Sequence, residues 1–188
     1  MDKRDCQIIS ILQKNGRSTL SDIANKIGIS PMGVKKRLDK LQKNRKIKIK
    51  ALINAKRLKI ITAIIAMELK DAETIEKIIN KFRECPRIIK FFITTGSYNL
   101  FALIFAEDYH SLESVTLEKC SLRAQEGVRR FEIYPVQEIF YDSFMDINVI
   151  PLKNEKIAPC GVHCGECKRY ESYKCLGCPA TIYYRGKL

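Results

Sequence analysis

Five of the eight cysteines fall between residues 160 and 178, spaced Cys160-x3-Cys164-x2-Cys167-x7-Cys175-x2-Cys178. Each Cys-x-x-Cys step brings two soft sulfur donors to one centre, and the glycines between them let the backbone turn around it. The chemistry this spacing supports is metal coordination. A tetrahedral Zn2+ site needs four thiolates, which Cys164, Cys167, Cys175 and Cys178 can supply. A [4Fe-4S] cluster also takes four cysteines, and five close cysteines with Pro179 after the last lean toward the cluster. Zinc would act as a staple, whereas a cluster would sense oxygen, redox state or iron. Cys160 joins the candidate ligands. His163 is read as a supporting or exposed side chain. Cys6, Cys85 and Cys120 stand singly and are read as buried small hydrophobes.

A second chemistry is written into residues 18–43. Thr19 with Asp22 three residues on has capping-box spacing, and Ile23, Ala24 and Ile27 fall on one helical face. Gly28 sits where a helix would end, Ser30 can cap the next helix, and Pro31 suits its first turn. Val34, Leu38 and Leu41 form an apolar seam that leaves Lys35, Lys36, Lys40 and Lys43 on other faces. An apolar seam behind a cationic face suits a recognition helix in a DNA major groove. The expected DNA-reading set is Thr19, Ser30, Met32, Gly33, Lys35, Lys36, Arg37 and Lys40, joined by Arg45, Lys46 and Lys48. Residues 1–59 hold 17 Lys or Arg against 4 Asp or Glu, while residues 60–188 hold 17 against 17. The whole excess of +13 thus lies in the first third. A polyanionic partner would exploit that asymmetry, and counterion release would make its binding weaken steeply with salt.

These residues need elements to hold them. Residues 3–15 read as a first helix, completing a three-helix unit. Arg45–Lys50 alternates Ile with Lys or Arg, a strand pattern expected to form a wing whose Lys46, Lys48 and Lys50 face phosphates. Residues 58–141 then become apolar and neutral. Strands are expected at 58–69, 87–95, 100–107 and 128–141, with helices at 72–84 and 109–125 and a hairpin turn at 96–99. The order βαββαβ is the ferredoxin-like split motif, with both helices on one sheet face. Its bare apolar face is expected to pair with a second copy, setting two recognition helices against two half-sites. The fold class is therefore α+β: a winged helix-turn-helix at 1–54, a ferredoxin-like domain at 58–141, a linker at 142–157 and a cysteine-rich metal module at 158–188. So short a module has no core of its own, and a metal would supply its folding energy.

Residues 1–141 resemble the Lrp/AsnC family of transcriptional regulators. The resemblance is carried by Asp2 and Asp5, Asn15-Gly16-Arg17, Asp22-Ile23-Ala24, Gly28-x-Ser30-Pro31, Val34-x-x-Arg37-x-x-x-Leu41, Ile47, Gly96-x-Tyr98 and Gly127-Val128. It implies a winged helix-turn-helix joined to a ferredoxin-like sensor (RAM) domain. It also implies homodimers that assemble further, to tetramers or octamers, and a small effector such as an amino acid, here at Gly96, Ser97, Tyr98 and Asn99. Two residues depart from the family pattern. Arg45 stands where a glycine is usual before the wing. Asn99 stands where an aspartate is usual, so a carboxylate able to pair with an effector ammonium becomes a neutral amide. The segment Cys160-Gly-x-x-Cys164-Gly-x-Cys167 is similar to short cysteine-rich domains of prokaryotic proteins.

Other classes fit poorly. No apolar run approaches the ~20 residues of a membrane span, and the charged N-terminus lacks secretory character, so an intracellular protein with reduced cysteines is expected. Cys160-x3-Cys164-x2-Cys167 has radical S-adenosylmethionine spacing, but 21 residues follow it where that chemistry needs a large barrel. No phosphate loop, His-Glu-x-x-His or Gly-x-Ser-x-Gly occurs, and no enzyme is expected. The leading expectation is a sequence-specific regulator binding double-stranded DNA. An architectural DNA-binding protein with a structural zinc is the alternative, and a redox protein with an incidental basic domain a third.

Overall fold

A computed structural model describes all 188 residues. They form two compact units, Met1–Ala51 and Leu52–Leu188. No helix is long and apolar enough to cross a membrane.

The first unit holds three helices, α1 (Lys3–Lys14), α2 (Leu20–Ile27) and α3 (Pro31–Lys43). Each starts at a side-chain cap: Asp2 and Thr19 in full capping boxes, Ser30 by accepting from the Gly33 N–H. These caps satisfy backbone donors that helix geometry leaves orphaned. Gly28 ends α2 in the left-handed region at φ +66°, where a side chain would be strained. Ile8, Ile23, Ala24, Ile27 and Val34 form the core, with Leu38 partly buried against it. Leu41 is buried as well.

The expected strand at 45–50 does not form. Arg45 leaves α3 in the left-handed region at φ +53°, and Ile49 is 45% exposed. The Ile–Lys alternation has no partner strand here, and period-two patterning cannot make a ladder alone.

The second unit opens with β1 (Ile53–Asn54). It continues through β2 (Ile61–Leu69), α4 (Ala72–Lys81), β3 (Ile88–Ile93), β4 (Leu100–Ala106), α5 (Tyr109–Leu117) and β5 (Val128–Pro135), then β6 (Phe144–Met145). The antiparallel sheet runs β3-β4-β2-β5, the ferredoxin-like order. Ala63, Ile65, Met67 and Leu69 of β2 share one buried core with Ile75 and Ile78 of α4, Phe82 just beyond it, and Leu112 of α5. The alternate β2 positions face the other way. Ile64 opposite Leu103 and Tyr134 is 41% exposed, and Phe92 opposite Phe101 is 48% exposed.

Several boundaries differ from the sequence expectation: β2 starts at Ile61 rather than Leu58, and α4 ends at Lys81 rather than Glu84. Helix α5 stops at Leu117 rather than near Gln125, because Glu118 is extended and the Ser121 hydroxyl accepts from the Ala124 N–H to start a separate turn. β5 ends at Pro135 rather than Tyr141. The expected linker at 142–157 contains β6, which pairs with β1, and its Ile147 is buried. The cysteine-rich stretch beyond it carries a short 3-10 turn at Cys164–Glu166 and the one-turn helix α6 (Lys168–Glu171). It borrows a core from the sheet domain: Ala158 and Cys160 belong to the cluster built on Ile65, Phe82 and Leu112.

Candidate functional site

On α3, Val34 and Leu41 are buried while Lys35, Lys36, Lys40 and Lys43 are exposed. Met32 is exposed too, and the half-buried Gly33 lies in the first turn under the Ser30 cap. The cationic face expected from spacing is therefore presented. Thr19 and Ser30 have structural duties, since their hydroxyls are held by the caps of α2 and α3. Arg37 does not join the lysines. Its Nη1 donates to Asp2 Oδ2 at 2.5 Å and Asp5 Oδ1 at 2.9 Å, tying α3 to the start of α1. Backbone N–H donors and the guanidinium together hold both carboxyls below the usual aspartate range. Arg45, Lys46 and Lys48 are exposed just beyond α3. The Arg45 N–H donates to Gln42 O and the Lys46 N–H to Leu41 O, both at 2.9 Å, a Schellman cap with arginine in the glycine position.

At the 96–99 turn, the Asn99 amide is spent on the fold. Its Oδ1 accepts from the Leu69 N–H and its Nδ2 donates to Leu69 O, each at 2.8 Å. A carboxylate could make only the first of these bonds. Gly96 and Ser97 are exposed turn residues. The Tyr98 hydroxyl donates to Glu132, which also accepts from Tyr134. Those two hydroxyl donors, Tyr134 first, hold the Glu132 carboxyl below its ordinary range. A carboxylate therefore does stand beside Tyr98, supplied by β5 rather than by the turn.

The cysteines gather more widely than their spacing alone indicated. A cavity of about 580 Å³ is lined by Cys160, Cys164, Cys167, Cys175 and Cys178, and also by Cys85 and Cys120. Only Cys6 lies elsewhere, and it is exposed rather than the buried hydrophobe expected, whereas Cys85 and Cys120 are partly buried against the sheet-domain core. Cys85 follows α4 and Cys120 follows α5, equivalent places in the two halves of the βαββαβ repeat. Periodicity could not find them. The faint signal was a cysteine just past the end of each sensor helix. All eight cysteines are free. Burial pushes the Cys85 thiol up to about 11 and the Cys178 thiol up to about 12, and raises Cys120 and Cys164 as well. These four are protonated at neutral pH unless a metal displaces their protons.

The walls of the cavity are fixed by polar anchors. Arg87, whose side chain is 6% exposed, pairs with Glu107, and its Nη2 donates to Gly177 O at 2.8 Å. Gly177 is at φ +81°, and a Cβ there would sit 2.6 Å from Tyr183 O, so both strain and space demand glycine. Ser111 Oγ accepts from the Leu176 N–H, and Ser114 Oγ accepts from Arg169 Nε at 2.7 Å. His163 Nε2 lies 3.0 Å from the Tyr183 hydroxyl. Its Nδ1 is buried with no hydrogen bond, and Glu166 Oε1 lies 3.5 Å away. His163 thus lines the cavity as a half-buried side chain held by Tyr183. No three Cys, His, Asp or Glu donors converge as closely as a single ion requires.

Comparison with known proteins fits this architecture. Residues 1–48 match the winged helix-turn-helix DNA-binding model, and residues 62–145 match the Lrp/AsnC ligand-binding domain. The chain is 31% identical over 121 residues to the HTH-type transcriptional regulator Ptr1 of Methanocaldococcus jannaschii, covering 63% of this chain and 81% of that one. It is 28% identical over 124 residues to the regulatory protein AsnC of Haemophilus influenzae, covering 65% and 83%. Escherichia coli AsnC superimposes with a TM-score of 0.66 at 21% identity, over 75% of this chain and 95% of that one. A Neisseria meningitidis transcriptional regulator in complex with L-Met gives 0.67 at 23%, over 76% and 94%. Both family matches end before the cysteine-rich stretch. The relatives are transcriptional regulators rather than enzymes. By its paired domains and its relatives, the chain belongs to the Lrp/AsnC family of DNA-binding transcriptional regulators.

Proposed function

We infer that this regulator is sequence-specific, self-associates through its sheet domain, and carries a thiolate-bound metal centre as its added signal or staple. One observation carries the DNA reading. Lys35, Lys36 and Lys40 are exposed on α3 opposite the buried Val34–Leu41 seam, within the 59 residues that carry a net charge equal to the whole chain's +13. Base edges specify while phosphates position, so α3 supplies specificity and Arg45, Lys46 and Lys48 supply grip. Footprinting tests it. Discrete protected sites support the reading, and even protection of random duplex would replace it with an architectural role. The charge reversal Lys35→Glu with Lys36→Glu should weaken binding and flatten its salt dependence.

The partners follow from the same unit. The bare face bearing Ile64, Phe92, Phe101, Leu103 and Tyr134 favours a homodimer, the building block of tetramers or octamers. An amino-acid effector, as in the L-Met complex of the Neisseria relative, would meet Tyr98 and Glu132 rather than the Asn99 amide. The metal centre draws its thiolates from Cys160, Cys164, Cys167, Cys175 and Cys178, as a [4Fe-4S] cluster or Zn2+. When bound, it would supply cross-linking and, for a cluster, redox sensitivity. Metal, iron and sulfide analysis of anaerobically purified protein tests this, and Cys164→Ser with Cys167→Ser should abolish the metal.

A further inference from the structure

The cysteine-lined cavity belongs to two parts of the second unit at once. Five thiols come from residues 160–178, while Cys85 and Cys120 come from the turns that follow α4 and α5. Folded proteins seldom keep voids much larger than a water, and a dry engineered cavity of about 150 Å³ is already large. Here the space is about 580 Å³, and seven of the residues on its wall are cysteines. A bulky ligand that favours sulfur suits such a wall.

A lone zinc ion fits this geometry badly. Zinc holds each thiolate at about 2.3 Å, which packs four sulfurs within about 4 Å of one another. The donors here are spread around the wall, with no three convergent on one point. A polynuclear iron–sulfur cluster spaces its thiolate ligands more widely, because each binds a different metal atom. Such a cluster with its thiolates is anionic, and the wall carries matching cations. Arg87, Lys119 and Lys168 all line the same cavity. The unbonded His163 Nδ1 offers one further donor at the wall.

We propose that the cavity is a composite iron–sulfur cluster site, with Cys85 and Cys120 as its sensor-side half. The cluster joins residues 160–178 to the turns that end both sensor helices. Its loading state is then read directly by α4 and α5, the elements that cover the sheet. This inference rests on the thiolate-centre reading above and adds the nature of the centre and its two sensor-side cysteines.

The full chain, purified anaerobically and reconstituted with ferrous iron and sulfide, tests the inference by two readouts. Loading should slow hydrogen exchange about tenfold or more in peptides carrying Cys85 and Cys120, as well as in the tail. The double variant Cys85→Ala with Cys120→Ala, checked as folded by circular dichroism, should hold its iron about tenfold or more weakly, or show a shifted visible spectrum. Unchanged exchange at both turns together with wild-type loading of the variant would overturn the inference and leave a tail-only centre standing. Zinc bound without iron or sulfide would overturn it too, while keeping the thiolate reading. Absence of any metal, even after reconstitution, would remove both. The exchange measurement uses the unaltered chain, so it decides the matter even if the variant does not fold.

Discussion

Arg87 and Glu107 form an ion pair almost shut off from water, and the guanidinium also holds the tail through Gly177 O. Burial works against the Arg87 charge. The Glu107 carboxylate outweighs it, so the guanidinium pKa stays above its ordinary value. Glu107 accepts a second bond, from the Tyr184 hydroxyl. One carboxylate thus ties the end of β4 to the turn before β3 and to the last residues of the chain.

Removing one partner of such a pair leaves a buried charge uncompensated. Arg87→Met should cost the second unit about 3–5 kcal/mol, read by chemical denaturation. The double variant Arg87→Met with Glu107→Gln should recover much of that loss, because the stranded charge is gone. In both variants the tail loses its Gly177 anchor, so limited proteolysis should cut residues 158–188 sooner than in the wild type. Equal stability of single and double variants would show that the pair is not coupled.

Arg37 and Lys35, both on α3, should behave in opposite ways. Arg37 is committed to Asp2 and Asp5, so Arg37→Ala should lower the Tm of the first unit by a few degrees. Lys35→Ala at the exposed face should leave Tm unchanged and weaken DNA binding. A titration of affinity against salt, run beside a melt of each variant, separates the two roles.

Arg45 gives a sharper contrast. At φ +53° it fills a helix-ending position that glycine occupies without strain. Arg45→Gly should stabilise the first unit by about 1 kcal/mol, because the left-handed conformation is costly for residues with a Cβ. The same change removes an exposed cation, so the slope of log affinity against log salt should shrink by about 0.9. A variant that is more stable yet binds DNA more weakly would show that this departure from the family pattern serves the partner rather than the fold.

Acid should act on the helix starts. Asp2, Asp5, Asp22 and Asp71 all have carboxyl pKa values lowered in the fold, the first two and Asp71 mainly by backbone N–H donors and Asp22 mainly by the Thr19 hydroxyl. A lowered folded pKa means that the stabilisation is complete above the unfolded value of about 3.9 and disappears as pH falls through the folded one. The Tm should therefore be flat between pH 5 and about 7 in these terms and drop below about pH 4. Asp2→Asn with Asp5→Asn should flatten that acid limb for the first unit.

Local chemistry made much of this molecule legible from its residues. Thr19, Gly28, Ser30 and Pro31 act within one turn of themselves, so caps and helix ends followed from spacing. The βαββαβ order followed because Ile64 and Ile65 lie in a strand too apolar to be anything but sheet. What stayed hidden depended on distant partners. The alternation at 45–50 looked like a strand because a pattern cannot say whether a neighbouring strand exists. Arg37 looked like one more cation until Asp2 and Asp5 came within reach of it. Cys85 and Cys120 looked single because 35 residues separate them, and only the repeat of the fold brings both to one cavity.

The bare sheet face offers the last test. Ile64, Phe92 and Tyr134 remain about half exposed in a single chain, although strands this apolar are ordinarily covered. In a two-fold dimer each substitution is made twice, once on each copy. Burying a whole isoleucine contributes about 1.5–3 kcal/mol, and a dimer covers only the 41% of Ile64 left exposed, so over two copies Ile64→Glu removes about 1–2.5 kcal/mol from the dimer before any charge is buried. That loss corresponds to a dissociation constant raised by a factor of about 10 to 10², and burying two glutamates against the apolar face raises it further. Sedimentation at micromolar concentration should then show the wild type as a dimer or larger and the variant as a monomer. Ile64 is 41% exposed in the single chain, so the variant's circular dichroism should remain that of the wild type. If the variant kept the wild-type mass, the sheet face would not be the interface, and self-association would have to use another surface.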